Sequence, residues 1–293
     1  MPLSDTGAET PSPSLSLSPS PSSSPSADFS SSGLLSEKEI NLRKEAISAL
    51  GRSSNPEAIR NLTEIAQSGA ERELRKEAIF WLSQKHNPDV GALLGDLFEK
   101  ESDLEIRKHI LYGYAQMSDG EGVKRLIRVA TSSKLDREIR KQAIFWLSQQ
   151  DDRAAGYTIQ QIFRTEMDQE IRKQVLYGYT QMDDENGIPL LIEAAKNEPD
   201  VEVRKQAIFW LSHQDGREVG ETLKEIFRTE TDREIRRQVL FGYSQMDDED
   251  GVPLLIEAAK NDQDLEVRKQ AIFWLGQSDD PRARAALMDI LRK

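Results

Sequence analysis

One ten-residue phrase sets the terms for the whole chain. Glu202–Leu211, EVRKQAIFWL, returns in near copies whose anchor arginine falls at Arg43, Arg75, Arg107, Arg140, Arg172, Arg204, Arg236 and Arg268. A period of about 32 residues belongs to a stack of small units, each touching only its neighbours, and not to one globular core. The copies alternate between two kinds. One reads RKEAIFWLSQ from Arg75, RKQAIFWLSQ from Arg140, RKQAIFWLSH from Arg204 and RKQAIFWLGQ from Arg268; the other reads RKHILYGYAQM from Arg107, RKQVLYGYTQM from Arg172 and RRQVLFGYSQM from Arg236. The true repeat is therefore a pair of units, about 64 residues long. The opening unit from Arg43, RKEAISALGR, is the weakest copy, as suits a stack end with no neighbour on one side.

Within each unit the pattern predicts two helices. An acidic residue stands four before the anchor, as Asp103, Asp136, Asp168, Asp200, Asp232 and Asp264, with Glu71 in the same slot. An aspartate there accepts the orphan N–H groups of a first helical turn, and the Glu two residues later suits the positive end of the helix dipole. Apolar residues then fall at −1, +3, +4 and +7 from the anchor, for example Val203, Ala207, Ile208 and Leu211, which is one face of a 3.6-residue helix. Acidic turns follow at Asp151-Asp152, Asp183-Asp184, Asp247-Asp248 and Asp279-Asp280. A second helix comes next, with Pro281 placed at its first turn. Pro189 and Pro253 lie deeper, so those two helices are expected to start late, near Gly187 or Gly251, or to kink. No segment alternates as a half-buried strand does.

Residues 1 to 36 read as a separate region, a Ser/Pro tract too poor in apolar residues to fold, serving as a tether, a phosphorylation target or a passive spacer; residues 37–293 are the repeat array. The chain lacks Cys, which removes disulfides, thiolate nucleophiles and Cys-type zinc sites. Its net charge of −12 argues against wrapping along nucleic acid, which needs a basic surplus. No apolar run reaches the ~20 residues of a membrane span and no secretory signal is visible, so a cytoplasmic monomer is expected.

An Asp, then Glu-Val-Arg, an apolar helix, an acidic turn and a second helix at about 32-residue spacing resembles the short bacterial HEAT repeat, the PBS-lyase HEAT-like subtype, over residues 37–293. The resemblance implies an all-α, right-handed α-solenoid of eight two-helix repeats whose anchor helices line the concave side. It also implies a ladder in which the Asp at −4 and the anchor Arg tie neighbouring units: Asp168/Arg172, Asp200/Arg204, Asp232/Arg236 and Asp264/Arg268. Glu71 departs from the pattern by one methylene, and Glu39 with Asn41 departs further. The family spans scaffolds, adaptors and a few enzymes.

Aligned on the anchor, position +6 alternates large and small: Trp81, Gly113, Trp146, Gly178, Trp210, Gly242, Trp274, after Ala49 in the first unit. Each Trp is expected to lie over the Gly of an adjacent unit, the alternative being an exposed stripe that binds a ligand. Positions +1, +2, +5 and +9 point away from the unit's own core and are expected to be exposed. From Arg140 onward they hold Lys141, Gln142, Phe145 and Gln149; Lys173, Gln174, Tyr177 and Gln181; Lys205, Gln206, Phe209 and His213; Arg237, Gln238, Phe241 and Gln245; Lys269, Gln270, Phe273 and Gln277. Columns of rings and amides with a cationic edge can grip an extended peptide or protein surface, or can simply stiffen the superhelix.

Catalysis needs unlike groups that converge, whereas a repeat array offers columns of like ones. The histidines, His86, His109 and His213, are followed by Asn, Ile and Gln, not by the Glu that HEAT-repeat di-iron hydroxylases use. The acidic turns lack the spacing of a calcium loop. The expectation is a non-catalytic, cofactor-free and metal-free protein-interaction scaffold, with a lyase-like ligand-handling protein and a purely structural or consensus-like array as alternatives.

Overall fold

A computed structural model describes residues 35–292 except 70, 86, 118, 119, 183 and 247; the side chains of 88, 184–186 and 248–250 are outside it as well. The Ser/Pro tract, His86 and the acidic clusters around Asp183 and Asp247 therefore lie outside the described residues. Ser36–Lys293 forms one compact unit. Its described residues hold sixteen helices and no strand, in the order α1 (Glu37–Arg52), α2 (Glu57–Ser68), α3 (Arg72–Ser83), α4 (Pro88–Lys100), α5 (Leu104–Ala115), α6 (Glu121–Thr131), α7 (Arg137–Ser148), α8 (Arg153–Thr165), α9 (Gln169–Tyr179), α10 (Asp184–Asn197), α11 (Val201–Leu211), α12 (Arg217–Thr229), α13 (Arg233–Gln245), α14 (Asp248–Asn261), α15 (Leu265–Gln277) and α16 (Pro281–Arg292). Odd-numbered helices carry the anchors and pack on one another in one layer; even-numbered helices form the other. The anchor layer is the more closely packed of the two layers of this all-α solenoid.

The anchor helices start where capping dictates. Asp103 accepts from the N–H groups of Glu105 and Ile106, Asp168 from Glu170 and Ile171, Asp232 from Glu234 and Ile235, and Asp264 from Glu266 and Val267. Glu71 makes no such bond; its longer side chain does not fold back onto the first turn. The predicted apolar face is fully buried: Val203, Ala207, Ile208 and Leu211 are all 0% exposed. At roughly 25 cal/mol per Å² of apolar surface removed from water, these stripes hold the layers together.

Two expectations need correction. The helices with internal prolines do not start at Gly187 or Gly251 but three residues earlier, at Asp184 and Asp248. Pro189 and Pro253 fall in the second turn, where a proline forfeits a single intrahelical bond. The glycines serve another purpose: a Cβ on Gly187 would stand 2.3 Å from the Tyr179 carbonyl oxygen, one on Gly251 2.1 Å from that of Tyr243, and one on Gly122 1.9 Å from that of Tyr114. Only glycine lets the second helix lie this close to the end of its own anchor helix.

The second correction concerns tryptophan and glycine. Trp does not lie over the neighbour's +6 glycine, because adjacent anchor helices are staggered by two residues, so +6 meets +8 of the preceding unit. A Cβ on Gly178 would lie 3.2 Å from Ser148 Cβ, and one on Gly242 3.1 Å from Ser212 Cβ. Trp81 at +6 covers Gly51, the +8 residue before it, where any Cβ would collide with the indole at 2.1 Å. Position +8 is Gly, Ser, Ala or Thr in every unit, which is what this stagger requires.

Candidate binding face

The +5 rings and the +6 indoles form one continuous aromatic ribbon along the anchor layer. Phe80 and Tyr112, Phe145 and Tyr177, and Phe209 and Phe241 stack nearly parallel, with centroids 5.9–6.3 Å apart and planes within 11°. The next junction is tilted: Tyr112 meets Trp146 at 5.2 Å, Tyr177 meets Trp210 at 5.4 Å, and Phe241 meets Trp274 at 5.6 Å. Each indole then contacts the Phe beside it, as Phe145 and Trp146 do at 4.8 Å. Sequence reasoning placed these rings in solvent. They are half-buried instead, because each is covered on its faces by rings of the units before and after; Phe273, in the last unit, is 51% exposed.

Around the rings the amides and cations make shallow cups. One, of about 330 Å³, is lined by Lys108, Glu138, Lys141, Gln142, Phe145, Gln174 and Tyr177. Another, of about 230 Å³, is lined by Lys173, Glu202, Lys205, Gln206, Phe209 and Gln238. Lys141, Gln142, Phe145 and Gln174 correspond to Lys205, Gln206, Phe209 and Gln238, so the same cup returns after one two-unit period. Its cationic rim is partly neutralised, since Lys141 pairs with Glu138 at 3.3 Å, Lys173 with Glu170 at 3.1 Å and Lys205 with Glu202 at 3.1 Å. Position +9 is open: Gln149, Gln181, His213 and Gln245 are all exposed. Gln149 donates to Gln181 across one junction at 3.2 Å, while Gln181 and Gln245 also donate to the Thr180 and Ser244 hydroxyls beside them. His213 contacts the Phe209 carbonyl through Nδ1 at 2.7 Å. His109 packs against Tyr112 with Nε2 unpartnered, and burial pushes its imidazole below the usual histidine range.

A polar ladder runs along the edge where each second helix hands over to the next anchor helix, but its partners differ from those the resemblance implied. The anchor arginines reach forward 26 residues, to an acid two positions before the next capping Asp: Arg75 to Glu101, Arg140 to Glu166, Arg172 to Glu198, Arg204 to Glu230 and Arg236 to Asp262. The same acids accept the N–H of the capping Asp, as Glu166 does from Asp168 at 2.9 Å. The capping aspartates pair instead with the residue three before the preceding anchor: Arg72 with Asp103, Arg137 with Asp168 and Arg233 with Asp264, each at 2.6 Å, while Gln169 donates to Asp200. Asp232 has Val201 opposite, and its carboxylate serves the cap alone. Arg268 donates to the Ala259 carbonyl at 3.2 Å. The physical reason is reach: Asp at −4 is one turn from its own anchor and already engaged with backbone N–H groups. The acids at −6 were missed in the sequence, although Glu101-Ser-Asp103, Glu166-Met-Asp168, Glu198-Pro-Asp200 and Glu230-Thr-Asp232 repeat visibly.

The family model for HEAT repeats matches residues 123–212, 157–244 and 220–293, overlapping spans that together cover more than half of the chain. The chain belongs to the HEAT-repeat family. Solved structures align over most of its length at low similarity. Human deoxyhypusine hydroxylase is 19% identical with a TM-score of 0.37, covering 85% of this chain and 90% of its own. The complex of CpcE and CpcF of phycocyanin lyase from Nostoc sp. is 18% identical with a TM-score of 0.39, covering 82% and 97%. Escherichia coli YibA is 16% identical with a TM-score of 0.44, covering 90% and 100%. At this similarity these structures say nothing about the chemistry of this HEAT protein. The comparison with curated protein sequences gives no match. Among the described residues no three potential metal ligands converge, and no helix is long and apolar enough to cross a membrane.

Proposed function

We propose that this HEAT protein is a non-catalytic scaffold that holds an extended segment of a partner protein along the ring face, through the units anchored at Arg107 to Arg236. The observation that carries this reading is the recurrence of one cup, a ring floor with amide walls and a Lys/Glu rim, after one two-unit period. Anchor helices at roughly 8–10 Å spacing put successive cups about 20 Å apart. An extended peptide at ~3.3 Å per residue covers that distance in about six residues, so the ligand carries side chains for the cups at about that interval. The amides of Gln142, Gln174, Gln206 and Gln238 meet its backbone groups, and Phe145, Tyr177, Phe209 and Phe241 meet its side chains.

The mutual stacking of the rings favours a second reading, in which they only stiffen the solenoid. Replacing the rings would not separate the two, because it disturbs both. The test is therefore a variant altered at the open rim, with Lys141→Glu, Gln149→Glu, Gln181→Glu and Lys205→Glu, used as bait in affinity capture beside the wild type. The proposal expects a partner retained by the wild type, lost by a variant with unchanged circular dichroism, and binding again as a purified protein. Identical capture by both baits contradicts it.

A further inference from the structure

The junction between the units anchored at Arg107 and Arg140 lacks both rungs of the ladder, as only the opening junction also does, where Gly69 stands 26 residues after Arg43 and Arg43 pairs with Glu39 of its own helix instead. The neighbours of the Arg107 junction on either side have both rungs: Arg72 with Asp103 and Arg75 with Glu101 before it, Arg137 with Asp168 and Arg140 with Glu166 after it. The position 26 residues after Arg107 is Ser133, and the position six before Arg140 is Lys134, in a four-residue linker, Ser132-Ser133-Lys134-Leu135, where its counterparts have two residues between the second helix and the next capping Asp. The capping Asp136 has Leu104 opposite it where Arg72, Arg137 and Arg233 stand elsewhere, and Leu104 is 42% exposed.

Arg107 is left as a cation without its acid. Its guanidinium lies 4.4 Å over the Phe98 ring and its Nε is buried without a hydrogen-bond partner, as are those of Arg172 and Arg204. Those two still meet Glu198 and Glu230 through a terminal nitrogen, and Arg107 meets no acid among the described residues. Arg236 also sits 4.4 Å over a ring, Phe227, yet is joined to Asp262 and to two backbone carbonyls. A buried donor on a charged group costs far more unpaired than a surface one. The guanidinium fork held against a ring is ready to receive two oxygens in its plane. The linker adds the Lys134 ammonium and two serine hydroxyls in place of the missing carboxylate.

We propose that this junction is a carboxylate-binding site, in which an acid supplied from outside the chain completes the ladder at Arg107. The chemistry is that of the five sister junctions, where a Glu or Asp carboxylate fills the same register. Leu104, one turn before Arg107 on α5, offers an apolar contact beside the charge, which suits an acidic side chain of a polypeptide better than a free acid. The site lies on the ladder edge and stands or falls independently of the ring face.

The test uses the full chain with arginine Nε–Hε pairs observed by NMR, the Arg107 signal being assigned from its loss in Arg107→Lys. The probes are an N-acetylated, C-amidated glutamyl tripeptide, succinate and inorganic phosphate. The expected result is a saturable shift of the Arg107 signal with both carboxylates; the tighter of the two identifies the source as peptide or free acid. Ser133→Glu supplies the acid from within the chain at high effective concentration, and is expected to weaken the tighter probe about tenfold or more. Lys134→Glu does the same from the alternative register should Ser133→Glu misfold. The proposal is overturned if phosphate alone moves the signal, if no carboxylate does, or if the folded Glu variants bind as the wild type does.

Discussion

The units with Trp at +6 and those with Gly at +6 differ in how they spend their glycines. In the glycine units the second helix presses against its own anchor helix, and Gly122, Gly187 and Gly251 face the backbone carbonyls of Tyr114, Tyr179 and Tyr243. In the tryptophan units the matching freedom is used outward: Gly91, Gly156 and Gly220 on α4, α8 and α12 receive the tips of Met117, Met182 and Met246 from the following unit. The tyrosines at +7 of the glycine units are buried, and burial raises their phenols well above the ordinary range, so they stay protonated; Tyr114 and Tyr243 donate to the carbonyls of Leu94 and Leu223 on the preceding second helices. The lesson is that the two-unit period is a packing alternation. One kind of unit closes on itself and the other accepts its neighbour, and the cups on the ring face recur with the same period.

The contrast can be broken hardest at the glycines. Gly251→Ala forces a methyl onto a carbonyl oxygen that cannot move without its helix, and should cost about 3 kcal/mol or more by denaturant unfolding. Gly220→Ala meets the end of a flexible Met246 side chain 2.9 Å away. It should stay within about 1 kcal/mol of neutral, since alanine also favours the helix. A similar cost at both sites would remove the distinction between the two kinds of unit.

The ladder gives a smaller effect. Arg140→Met removes the partner of a Glu166 whose side chain is 14% exposed, and should lose about 2 kcal/mol; Arg107→Met has no ion pair to lose and should cost about half of that or less. Smaller still is the response to pH. The Arg233 guanidinium beside Asp264, and Arg72 beside Asp103, together with backbone N–H groups, hold both carboxyls below the usual carboxylate range. Because the folded values lie below the unfolded ones, the stability they contribute is full above about pH 4 and is lost as pH falls through the folded values. Melting temperatures measured from about pH 6 down to about pH 2 should fall less steeply in an Asp103→Asn, Asp264→Asn variant than in the wild type.

Much of this was legible in the sequence, for a physical reason: a repeat averages its own noise. Capping at Asp103 or Asp264 and burial at Val203, Ala207, Ile208 and Leu211 follow from local rules that the chain restates from unit to unit. What was not legible depends on how one helix sits beside the next. The two-residue stagger that sets +6 against +8 is a property of packed pairs, so Trp146 and Gly178 were matched to the wrong neighbours, and Phe145 and Tyr177 were read as exposed because a helical wheel shows one unit at a time. The ladder partners were misassigned because Asp168 and Arg172 are adjacent on one helix, whereas Glu198 reaches Arg172 only after the chain has passed through a second helix.

The stagger is the claim on which the alternation, the ribbon and the recurring cups all depend, and a double-mutant cycle at Gly178 and Ser148 tests it most directly. Gly178→Ala alone brings a methyl into tight contact with Ser148 Cβ, and Ser148→Gly alone removes that neighbour. The account predicts that the pair is coupled, with Ser148→Gly recovering part of the Gly178→Ala loss and an interaction energy of at least about 0.5 kcal/mol. Costs that simply add would mean that +6 does not meet +8 of the preceding unit, and would contradict it.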